Sequence, residues 1–556
     1  MCAGYAGMNY LVVLQTTQGL LKYLQKKLGS EVAASQGVVI GYDHRRLGAM
    51  NSKDFAELCA RIFAAHNFKV YLYEHLVATP LVPYGVNKLN AAAGIMITAS
   101  HNPKQDNGYK LYWENGVQII PPHDAGIYES ILENLQPWMD YSGVAVPPIR
   151  IGEDSESLRE YIAKSYMLDQ KASILNRSTH FIHRSERKLA YTAMHGVGEE
   201  WIRHAFAAFD LSNQLKFVPQ QAFPDPTFPT VVFPNPEEKG ALNVAMKFAD
   251  ENFCDVIIAN DPDADRLGAA EKRTDEWKIF TGNEIGVMLG HFQIMKYKAQ
   301  VENDKQNGIV VPDRQPAVLA SIVSSRMLQA IANAEGVIYA DTLTGFKWLG
   351  NESVRLQNES NAIVLFSYEE ALGYCVGGVI HDKDGISGAI AFTEMVNQLY
   401  VTRGFTLTQY LDSLYDQYGQ FQSNNSYVIC RDPEAIAAIF KRLRSCGTSA
   451  GLQDYFDECG GVIVTSVRDV TLGTDLKTPP GSSPLPATPE SEMIMFSFDN
   501  GCTITLRTSG TEPKIKYYIE MRGRPGMTKA EVARELEDFS AQAISAMLQP
   551  EVNKFG

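Results

Sequence analysis

The amino-acid sequence predicts an α/β protein, with three tandem αβ domains of mixed, mostly parallel sheets and a C-terminal α+β domain. Through about residue 420, short apolar runs alternate with stretches of helical periodicity, a pattern typical of parallel sheets covered by helices. From about residue 422, β-like runs joined by turns take over. A chain of 556 residues is also too long for a single hydrophobic core.

The first αβ domain is predicted at residues 1–180. Leucines at helical spacing predict its first helix, and apolar runs bounded by polar turns predict its strands. In chain order, the predicted elements are a helix over residues 8–27, a strand over 37–43, a helix over 52–66, and strands over 69–73 and 94–97.

The same alternation predicts a second domain at residues 181–300 and a third at 301–421. Their strands are predicted at residues 188–192, 255–259, 308–312 and 362–367, with a helix that begins near residue 199. The low similarity between the three units is typical of structural repeats rather than sequence repeats.

The C-terminal domain is predicted at residues 422–556. Thr528 and Glu531 lie at capping-box spacing and open a predicted helix over residues 528–548. Residues 477–490 are rich in Pro, Ser and Thr, and they predict a mobile inserted loop. The predicted strands are residues 426–429, 462–464, 493–496 and 503–506.

Composition narrows the class of protein. A hydrophobic content of 45% and a charged content of 21% are typical of a soluble globular protein, and a net charge of -14 argues against general nucleic-acid binding. The eight cysteines form no C-x-x-C pair, which argues against a zinc site or a disulfide framework. No apolar stretch is long enough to span a membrane, and no secretory signal is visible. We therefore expect a cytoplasmic protein whose partners are small molecules.

A polar loop follows the predicted strand at residues 94–97. Residues 98–103 read TASHNP, and because proline lacks a donor and restricts the residue before it, the chain must turn there. Ser100 therefore lies just past a strand end, where α/β enzymes usually keep their chemistry. Residues 105–108 make a second turn, so Lys110 returns towards the serine. On these residues alone, a polar hairpin that merely caps a strand remains an alternative.

A second loop is acidic. Residues 261–266 read DPDADR after the apolar run 256–259, and three carboxylates at alternate positions can converge on one hard cation. Without a cation these crowded anions would repel one another. An EF-hand is the alternative interpretation, but its glycine and its later glutamate are missing.

Two further loops carry groups that suit a sugar phosphate. Residues 367–374 read SYEEALGY, and carboxylates accept hydrogen bonds from adjacent sugar hydroxyls, although a Glu-Glu pair alone is usually a solvated loop. Residues 507–514 read RTSGTEPK, and they offer an arginine, hydroxyl groups and backbone N–H groups to a dianionic phosphate.

In their order and spacing, these four motifs resemble those of the α-D-phosphohexomutase superfamily, the phosphoglucomutases and phosphomannomutases. The resemblance runs from about residue 8 to the C-terminus. The flanking sequence is most similar to the eukaryotic phosphoglucomutase-2 branch, whose members act as phosphopentomutases, phosphoglucomutases or glucose-1,6-bisphosphate synthases.

The resemblance implies a role for each matching residue. Ser100 would carry the phosphoryl group, His101 would position it, and Lys110 would be the general acid/base, with a pKa lowered by neighbouring cations. Mg²⁺ would be held by Asp261, Asp263, Asp265 and a phosphoserine oxygen on Ser100. The implied substrate-binding residues are Arg266, Thr344, Gly345, Glu369, Ala371 and Lys383. The implied phosphate-binding residues are Arg507, Ser509, Gly510, Thr511 and Lys516.

The resemblance also implies how such an enzyme works. Glucose 1,6-bisphosphate would act as activator or intermediate, and contacts from four domains imply a central cleft that closes on the substrate. Ala371 stands where many phosphoglucomutases carry a serine, which favours a relaxed choice of sugar that includes ribose 1-phosphate and glucose 1-phosphate. We expect a monomer.

One family segment has no match in the sequence. The family begins with Gly-Thr-[Ala/Ser]-Gly-Leu-Arg, whose arginine contacts the reacting phosphate, whereas residues 1–7 resemble only the stretch directly after that segment. We expect that the chain either lacks its first strand and that arginine or is an incomplete sequence. Arg45 or Arg46 could approach in its place. Two alternatives to a mutase stay open: a sugar-bisphosphate synthase or phosphatase with the same phosphoserine and, given the missing segment, a non-catalytic sugar-phosphate binder.

Overall fold

The computed structural model describes most of the chain, in two compact units. The described residues are 1, 7–151, 156–174, 185–274, 276–447, 452, 454–478, 485–509 and 513–553. The first unit comprises Met1–Ser324 and Glu335–Tyr410, and the second comprises Ser325–Ala334 and Leu411–Gly556.

The first sheet of the first unit has three parallel strands and one antiparallel edge strand. In spatial order its strands are Val70–Leu72, Val38–Tyr42, Ala93–Ile97 and Tyr109–Trp113. The two inner strands are buried at every residue, as expected when helices cover both faces of a parallel sheet. The helices are Tyr10–Leu28, Ser30–Gln36, Ser52–Ala65, Leu81–Leu89, His123–Glu133 and Leu158–Ile174. Two short hairpins pair Arg46–Leu47 with Met50–Asn51 and Arg150–Ile151 with Glu156–Ser157.

The second and third sheets repeat this pattern of three parallel strands with antiparallel strands at one edge. The second sheet is Leu215–Phe217, Leu189–Thr192, Val256–Ala259, Gly268–Lys272 and Trp277–Ile279. The third is Ile338–Thr342, Gln315–Ser321, Ala362–Glu369 and Gly373–Val376. Their helices are Gly198–Ala208, Asn243–Glu251, Gly282–Gln306, Phe346–Glu359 and Gly385–Arg403. The helix Leu407–Tyr418 begins in the first unit and continues from Leu411 in the second. The predicted succession of αβ units is confirmed.

One predicted strand is wrong. Residues 308–312 do not form a strand, and the central strand of the third sheet is Gln315–Ser321. Ile309 and Val310 are 50% and 87% exposed, so no neighbouring strand or helix buries this apolar run. A short apolar run alone does not separate a buried strand from an exposed connection.

The second unit is built on an antiparallel sheet, as the change in sequence texture predicts. In spatial order its strands are Phe421–Ile429, Lys514–Arg522, Cys502–Thr508, Met493–Phe498, Val462–Asp469 and Glu458–Cys459, with Thr474–Asp475 beside Val462–Asp469. Its helices are Met327–Glu335, whose last residue belongs to the first unit, and Pro433–Leu443, Lys529–Leu548 and Pro550–Asn553. Of the predicted loop at residues 477–490, residues 479–484 lie outside the described residues.

Apolar side chains of this sheet pack against the helix Lys529–Leu548. Phe498 and Phe539, for example, meet edge to face with ring centroids 5.1 Å apart. Within the described parts of both units, no helix combines the length and the apolar character that crossing a lipid bilayer requires.

Candidate functional site

Ser100 lies on a tight turn after the strand Ala93–Ile97. Its φ of +50° is in the left-handed region, and its backbone N–H donates to Thr98 Oγ1 at 2.9 Å. The Asn102 N–H donates to the Ala99 carbonyl at 3.0 Å and tightens the turn. The chain then returns as Tyr109–Trp113, with Met96 opposite Lys110, so Lys110 comes back beside the serine loop.

The acidic loop follows the strand Val256–Ala259 of the second sheet. Asp261, Asp263 and Asp265 are buried, and one carboxylate oxygen from each lies within 4.8 Å of the others. Ser100 Oγ donates a hydrogen bond of 2.7 Å to Asp261 Oδ2. The structure therefore brings the predicted serine and the three predicted metal ligands together from loops of two different sheets.

The aspartate cluster fits a hard divalent cation. Burial, and then the charges of Asp263 and Asp265, raise the pKa of Asp261 well above its usual range. The raised pKa means that the three carboxylates carry more negative charge than the neighbouring cations offset. The Oδ1 atoms of Asp263 and Asp265 are buried, and they accept no hydrogen bond from the residues that the structure describes. Buried carboxylate oxygens with free lone pairs are the donors that such a cation takes.

Lys110 joins two of the three carboxylates. Its Nζ lies 2.7 Å from Asp263 Oδ2 and 2.6 Å from Asp265 Oδ2. Burial lowers the pKa of Lys110, but the two carboxylates outweigh burial and raise that pKa above its ordinary value. The predicted lowering of the Lys110 pKa by neighbouring cations is therefore wrong for this arrangement. The same ion pair holds the pKa of Asp263 below its usual range, although burial alone would raise it.

His101 is a neutral neighbour of the serine. Its Nδ1 lies 3.4 Å from Ser100 Oγ. The charge of Arg266, followed by burial, lowers the pKa of His101 to about 2. A ring that stays neutral at physiological pH can position the hydroxyl but brings no charge to it.

Three of the predicted substrate-binding residues lie next to the acidic loop. The Arg266 backbone N–H donates to Asp261 Oδ1 at 3.0 Å, and Arg266 forms an antiparallel bridge with Gly373. Lys383 Nζ lies 3.6 Å from Asp265 Oδ2. A Cβ added at Gly373 would come 2.5 Å from Lys383 Cδ and 3.0 Å from Glu369 Cγ, so both side chains pass close to this glycine. Arg266, Lys383 and Glu369 thus converge.

The other predicted sugar contacts lie on loops of the third sheet. Gly345, with a φ of +102°, is the N-cap of the helix Phe346–Glu359 and follows Thr344. The Phe346 ring lies 5.5 Å from Lys383 Nζ, which brings this loop beside the converging side chains. Ala371 is half-buried in the turn between Ala362–Glu369 and Gly373–Val376.

The predicted phosphate loop belongs to the second unit. Arg507 lies opposite Lys516 in the pairing of Cys502–Thr508 with Lys514–Arg522. The Ser509 N–H donates to the Lys514 carbonyl at 2.9 Å, which closes the hairpin. The structure therefore brings Arg507, Ser509 and Lys516 to one hairpin. Gly510 and Thr511 lie outside the described residues.

Sequence reasoning missed two residues near the cluster and assigned a third to the wrong role. Thr79 Oγ1 donates to Asp263 Oδ2 at 2.6 Å, and the Thr79 N–H donates to the Asp263 carbonyl at 2.9 Å. Glu237 is exposed, but crowding by neighbouring groups still removes water from its carboxyl and raises the pKa to about 7, and Arg266 is among the charges that act on it. Arg45 was singled out by sequence, but as a possible phosphate ligand, whereas its guanidinium contacts backbone carbonyls of the serine loop. No local motif marks Thr79 or Glu237, because their partners come from distant parts of the chain.

Comparison with known proteins identifies the family. Sequence models of phosphoglucomutase/phosphomannomutase α/β/α domains I, II and III match residues 3–137, 164–274 and 282–418. The chain is 42% identical to the phosphopentomutase of Mus musculus, over 99% of this chain and 87% of that protein. It is 40% identical to the glucose 1,6-bisphosphate synthase of Homo sapiens, over 100% of this chain and 87% of that protein.

A solved structure supports the fold. The crystal structure of a phosphoglucomutase/phosphomannomutase family protein from Burkholderia thailandensis superposes with a TM-score of 0.65 at 16% identity, over 99% of this chain and 96% of that chain. With the matches to domains I, II and III and the relatives at about 40% identity, this likeness leads to one conclusion. The chain belongs to the phosphoglucomutase/phosphomannomutase family, the phosphosugar mutases.

Proposed function

We propose that this enzyme moves phosphate between the C1 and terminal hydroxyls of hexose or pentose phosphates, through a phosphoserine at Ser100 and a bisphosphate intermediate. The observation that carries the proposal is the 2.7 Å hydrogen bond from Ser100 Oγ to Asp261, at a buried cluster of three aspartates. A serine in that position can hold a phosphoryl group next to a bound cation. The likeness to mouse phosphopentomutase supports a pentose phosphate among the substrates.

The proposed metal is Mg²⁺, held by Asp261, Asp263, Asp265 and an oxygen of the phosphoserine. The all-oxygen donor set and the surplus negative charge of the cluster support this choice. When bound, the ion offsets negative charge on the transferring phosphoryl group.

Lys110 is the proposed general acid/base. The oxygen of a sugar hydroxyl attacks phosphorus, and the bond from phosphorus to Ser100 Oγ breaks. The Lys110 ammonium gives a proton to Ser100 Oγ and, as an amine, takes the proton of the sugar hydroxyl. The raised pKa of Lys110 supports this order, since it keeps the residue protonated at the start of the transfer. His101 would hold the serine oxygen in line.

The remaining residues are proposed to bind the sugar and its second phosphate. Arg266, Glu369 and Lys383 converge beside the acidic loop, and this convergence supports a sugar site there. The full proposed sugar set adds Thr344, Gly345 and Ala371. The proposed set for the non-reacting phosphate is Arg507, Ser509, Gly510, Thr511 and Lys516. Glucose 1,6-bisphosphate would start the cycle by phosphorylating Ser100.

The domain division that we propose assigns one task to each domain. Residues 1–180 form the phosphoserine domain, 181–300 the metal-binding domain, 301–421 the sugar-binding domain and 422–556 the C-terminal phosphate-binding domain. We also propose a cytoplasmic monomer. The free thiols of seven cysteines among the described residues support a reducing compartment.

The test is a coupled mutase assay with ribose 1-phosphate and glucose 1-phosphate, with and without Mg²⁺, on the native chain and on Ser100→Ala. Intact mass is recorded on the same samples. We expect Mg²⁺-dependent turnover and a phosphate-sized mass increment that Ser100→Ala abolishes. Turnover of neither sugar, with no phosphate on Ser100, would contradict the proposal and favour a non-catalytic sugar-phosphate binder.

A second candidate is a glucose 1,6-bisphosphate synthase. The 40% identity to the human enzyme of that name, over the whole of this chain, favours it. Such an enzyme uses the same phosphoserine but releases the bisphosphate. Accumulation of glucose 1,6-bisphosphate without isomerised product, when a phosphoryl donor and glucose 1-phosphate are supplied, would select this candidate over the mutase.

A further inference from the structure

The guanidinium of Arg45 is enclosed beneath the serine loop. Arg45 follows the strand Val38–Tyr42, and none of its side chain is exposed. Its Nη2 donates to the carbonyl oxygens of Ser100 and Asn102, the latter at 2.7 Å. Its Nη1 donates to the carbonyls of Pro103 and Asp106, at 2.8 and 3.3 Å. One side chain therefore binds four backbone carbonyls of a single loop.

Asp43 and Phe228 hold the Arg45 guanidinium in place on the sides away from the serine loop. Its Nε lies 3.2 Å from Asp43 Oδ2, and Ser52 Oγ donates to Asp43 Oδ1 at 2.6 Å. Asn107 Nδ2 donates to Ser52 Oγ at 2.9 Å, which ties the far end of the serine loop to the same support. The Phe228 ring covers the guanidinium, with Cζ 5.4 Å from the ring centroid. These contacts connect both ends of the loop to one buried ion pair.

This arrangement rules out the expected role of Arg45 as a phosphate ligand. An arginine has five N–H groups, and here the four on Nη1 and Nη2 donate to carbonyl oxygens. The fifth, on Nε, lies 3.2 Å from Asp43 Oδ2 and makes no hydrogen bond among the described residues, but the whole side chain is enclosed, so no N–H is open to a phosphate. Arg46 is exposed and donates from Nε to the Gly48 carbonyl at 3.2 Å.

The loop needs such a support because of the backbone conformation at Ser100. A non-glycine residue at a φ of +50° is strained and persists only where its surroundings hold it. In this conformation the Ser100 carbonyl meets Arg45 while Oγ meets Asp261. One backbone conformation at Ser100 therefore sets two things. It places the carbonyl where Arg45 can donate to it, and it directs the hydroxyl towards Asp261.

We propose that Arg45 is the positioning residue that holds Ser100 Oγ at the aspartate cluster. The proposal rests on the proposed function, in which Ser100 carries the phosphoryl group. Lysine is not an equivalent here, since its ammonium is a point charge with three donors and lacks the planar fork that serves four carbonyls. The charge would be kept in Arg45→Lys, but the loop would lose its alignment.

The test compares Arg45→Lys and Arg45→Ala with the native enzyme. The control is Arg61→Ala, because Arg61 lies in the same domain but on its half-exposed surface, where it contacts Glu57 and the Ser142 carbonyl. Phosphorylation of Ser100 by glucose 1,6-bisphosphate is followed by intact mass, and kcat and KM are measured separately. Amide hydrogen exchange is recorded over residues 98–108.

We expect Arg45→Lys to phosphorylate Ser100 and turn over about 100-fold more slowly, because a displacement near 1 Å costs about that factor. KM should change little, since the sugar-binding side chains are untouched. Exchange over residues 98–108 should rise in both Arg45 variants and stay at the native level in Arg61→Ala. Millimolar guanidinium chloride should restore part of the activity of Arg45→Ala, whereas sodium chloride should not.

Native phosphorylation rates and native exchange in Arg45→Lys would overturn the proposal. If Arg45→Ala does not fold, as judged by circular dichroism, Arg45→Lys alone decides by the same two readouts. If Ser100 of the native enzyme never takes phosphate, the proposed function fails. The exchange measurement still decides whether Arg45 holds the loop, so the two failures are distinguishable.

Discussion

In the proposed mechanism, the charge state of Lys110 determines which half of the proton transfer it can begin. Its Nζ is bound between Asp263 and Asp265 at 2.7 and 2.6 Å, and its pKa is raised. An ammonium can donate a proton but cannot accept one, so the proposed mechanism places donation to the leaving oxygen first. Only the amine produced by that donation can act as a base towards the sugar hydroxyl.

Asp261 should control the affinity for metal. Partners that merely orient metal ligands are worth about ten- to a hundredfold in affinity, so replacing a ligand by an amide should cost at least tenfold. We expect Asp261→Asn to need at least tenfold more Mg²⁺ for half-maximal turnover. Asp250→Asn is the control, because Asp250 is half-exposed and pairs with Lys272 outside the cluster. An unchanged Mg²⁺ requirement in Asp261→Asn would remove it from the metal site.

Glu237 should impose a pH dependence on substrate affinity. Since its pKa is raised to about 7, it is mostly protonated and neutral below pH 7 and mostly a carboxylate above it. The charged form repels a sugar phosphate, so KM should rise as the pH increases through 7, by at most roughly fivefold for an interaction of about 1 kcal/mol, because Glu237 is exposed and solvent screens its charge. The substrate phosphate itself titrates near pH 6. The measurement is therefore the difference between the KM profiles of the native enzyme and Glu237→Gln, and identical profiles would contradict the prediction.

Residues that lie within one short motif could be predicted from the sequence, and residues defined by distant partners could not. Asp261, Asp263 and Asp265 converge because alternate positions of one loop face the same point. Thr79 meets Asp263 across 184 positions of the chain, and nothing in its local sequence indicates that contact. The role of Arg45 was misjudged for the same reason, since its acceptors lie 55 to 61 positions away.

Among the structural elements, the turn between Ala362–Glu369 and Gly373–Val376 brings the proposed sugar-binding side chains together. Gly373→Ala would place a Cβ 2.5 Å from Lys383 Cδ, and this flexible side chain would have to move. We expect kcat/KM to fall roughly tenfold or more, because misplacing a binding group by about 1 Å is costly, with little loss of thermal stability. Gly378→Ala is the control, since its Cβ would lie 3.3 Å from Gln357 Nε2 only. A native kcat/KM in Gly373→Ala would show that the position of Lys383 is unimportant.

The helix Lys529–Leu548 depends on its cap. Thr528 accepts from the Glu531 N–H and the Glu531 side chain accepts from the Thr528 N–H, so both residues form the predicted capping box. Thr528→Ala should lower the free energy of unfolding of the second unit by about 1 kcal/mol, as measured by urea denaturation. Thr528→Ser keeps the hydroxyl and should stay close to native stability. Equal losses in the two variants would mean that the hydroxyl is not what caps the helix.

The cap was visible in the sequence because both of its residues lie within one helical turn. The strand Lys514–Arg522 was not predicted, because its first residues read as the end of a phosphate loop. Its pairing with Cys502–Thr508 and Phe421–Ile429 is decided by tertiary contacts. The predicted strand at residues 308–312 is wrong because no tertiary contact supports it. This apolar run has no partner strand and stays exposed.

In the molecule as a whole, the proposed metal site, formed by the three aspartates and Ser100, joins two sheets of the first unit and should therefore couple metal binding to stability. A ligand that binds only the folded state stabilises it by about 2.7 kcal/mol at a hundred times its Kd. We expect saturating Mg²⁺ to raise the unfolding temperature of the native enzyme. The same Mg²⁺ concentration should leave Asp261→Asn almost unchanged, and an equal rise in both would place the stabilising ion elsewhere.

The second unit is discontinuous in the chain. Its segment Ser325–Ala334 is separated from Leu411–Gly556 by 76 residues of the first unit, so the polypeptide passes between the units three times. The Arg326 N–H in that segment donates to Glu520 Oε2 at 2.8 Å, and burial raises the pKa of the Glu520 carboxyl. A gene fragment encoding residues 411–556 would therefore lack this backbone donor to the Glu520 carboxylate. Recombination or circular permutation can therefore keep the second unit whole only if it also carries Ser325–Ala334, which lies more than seventy positions upstream of Leu411.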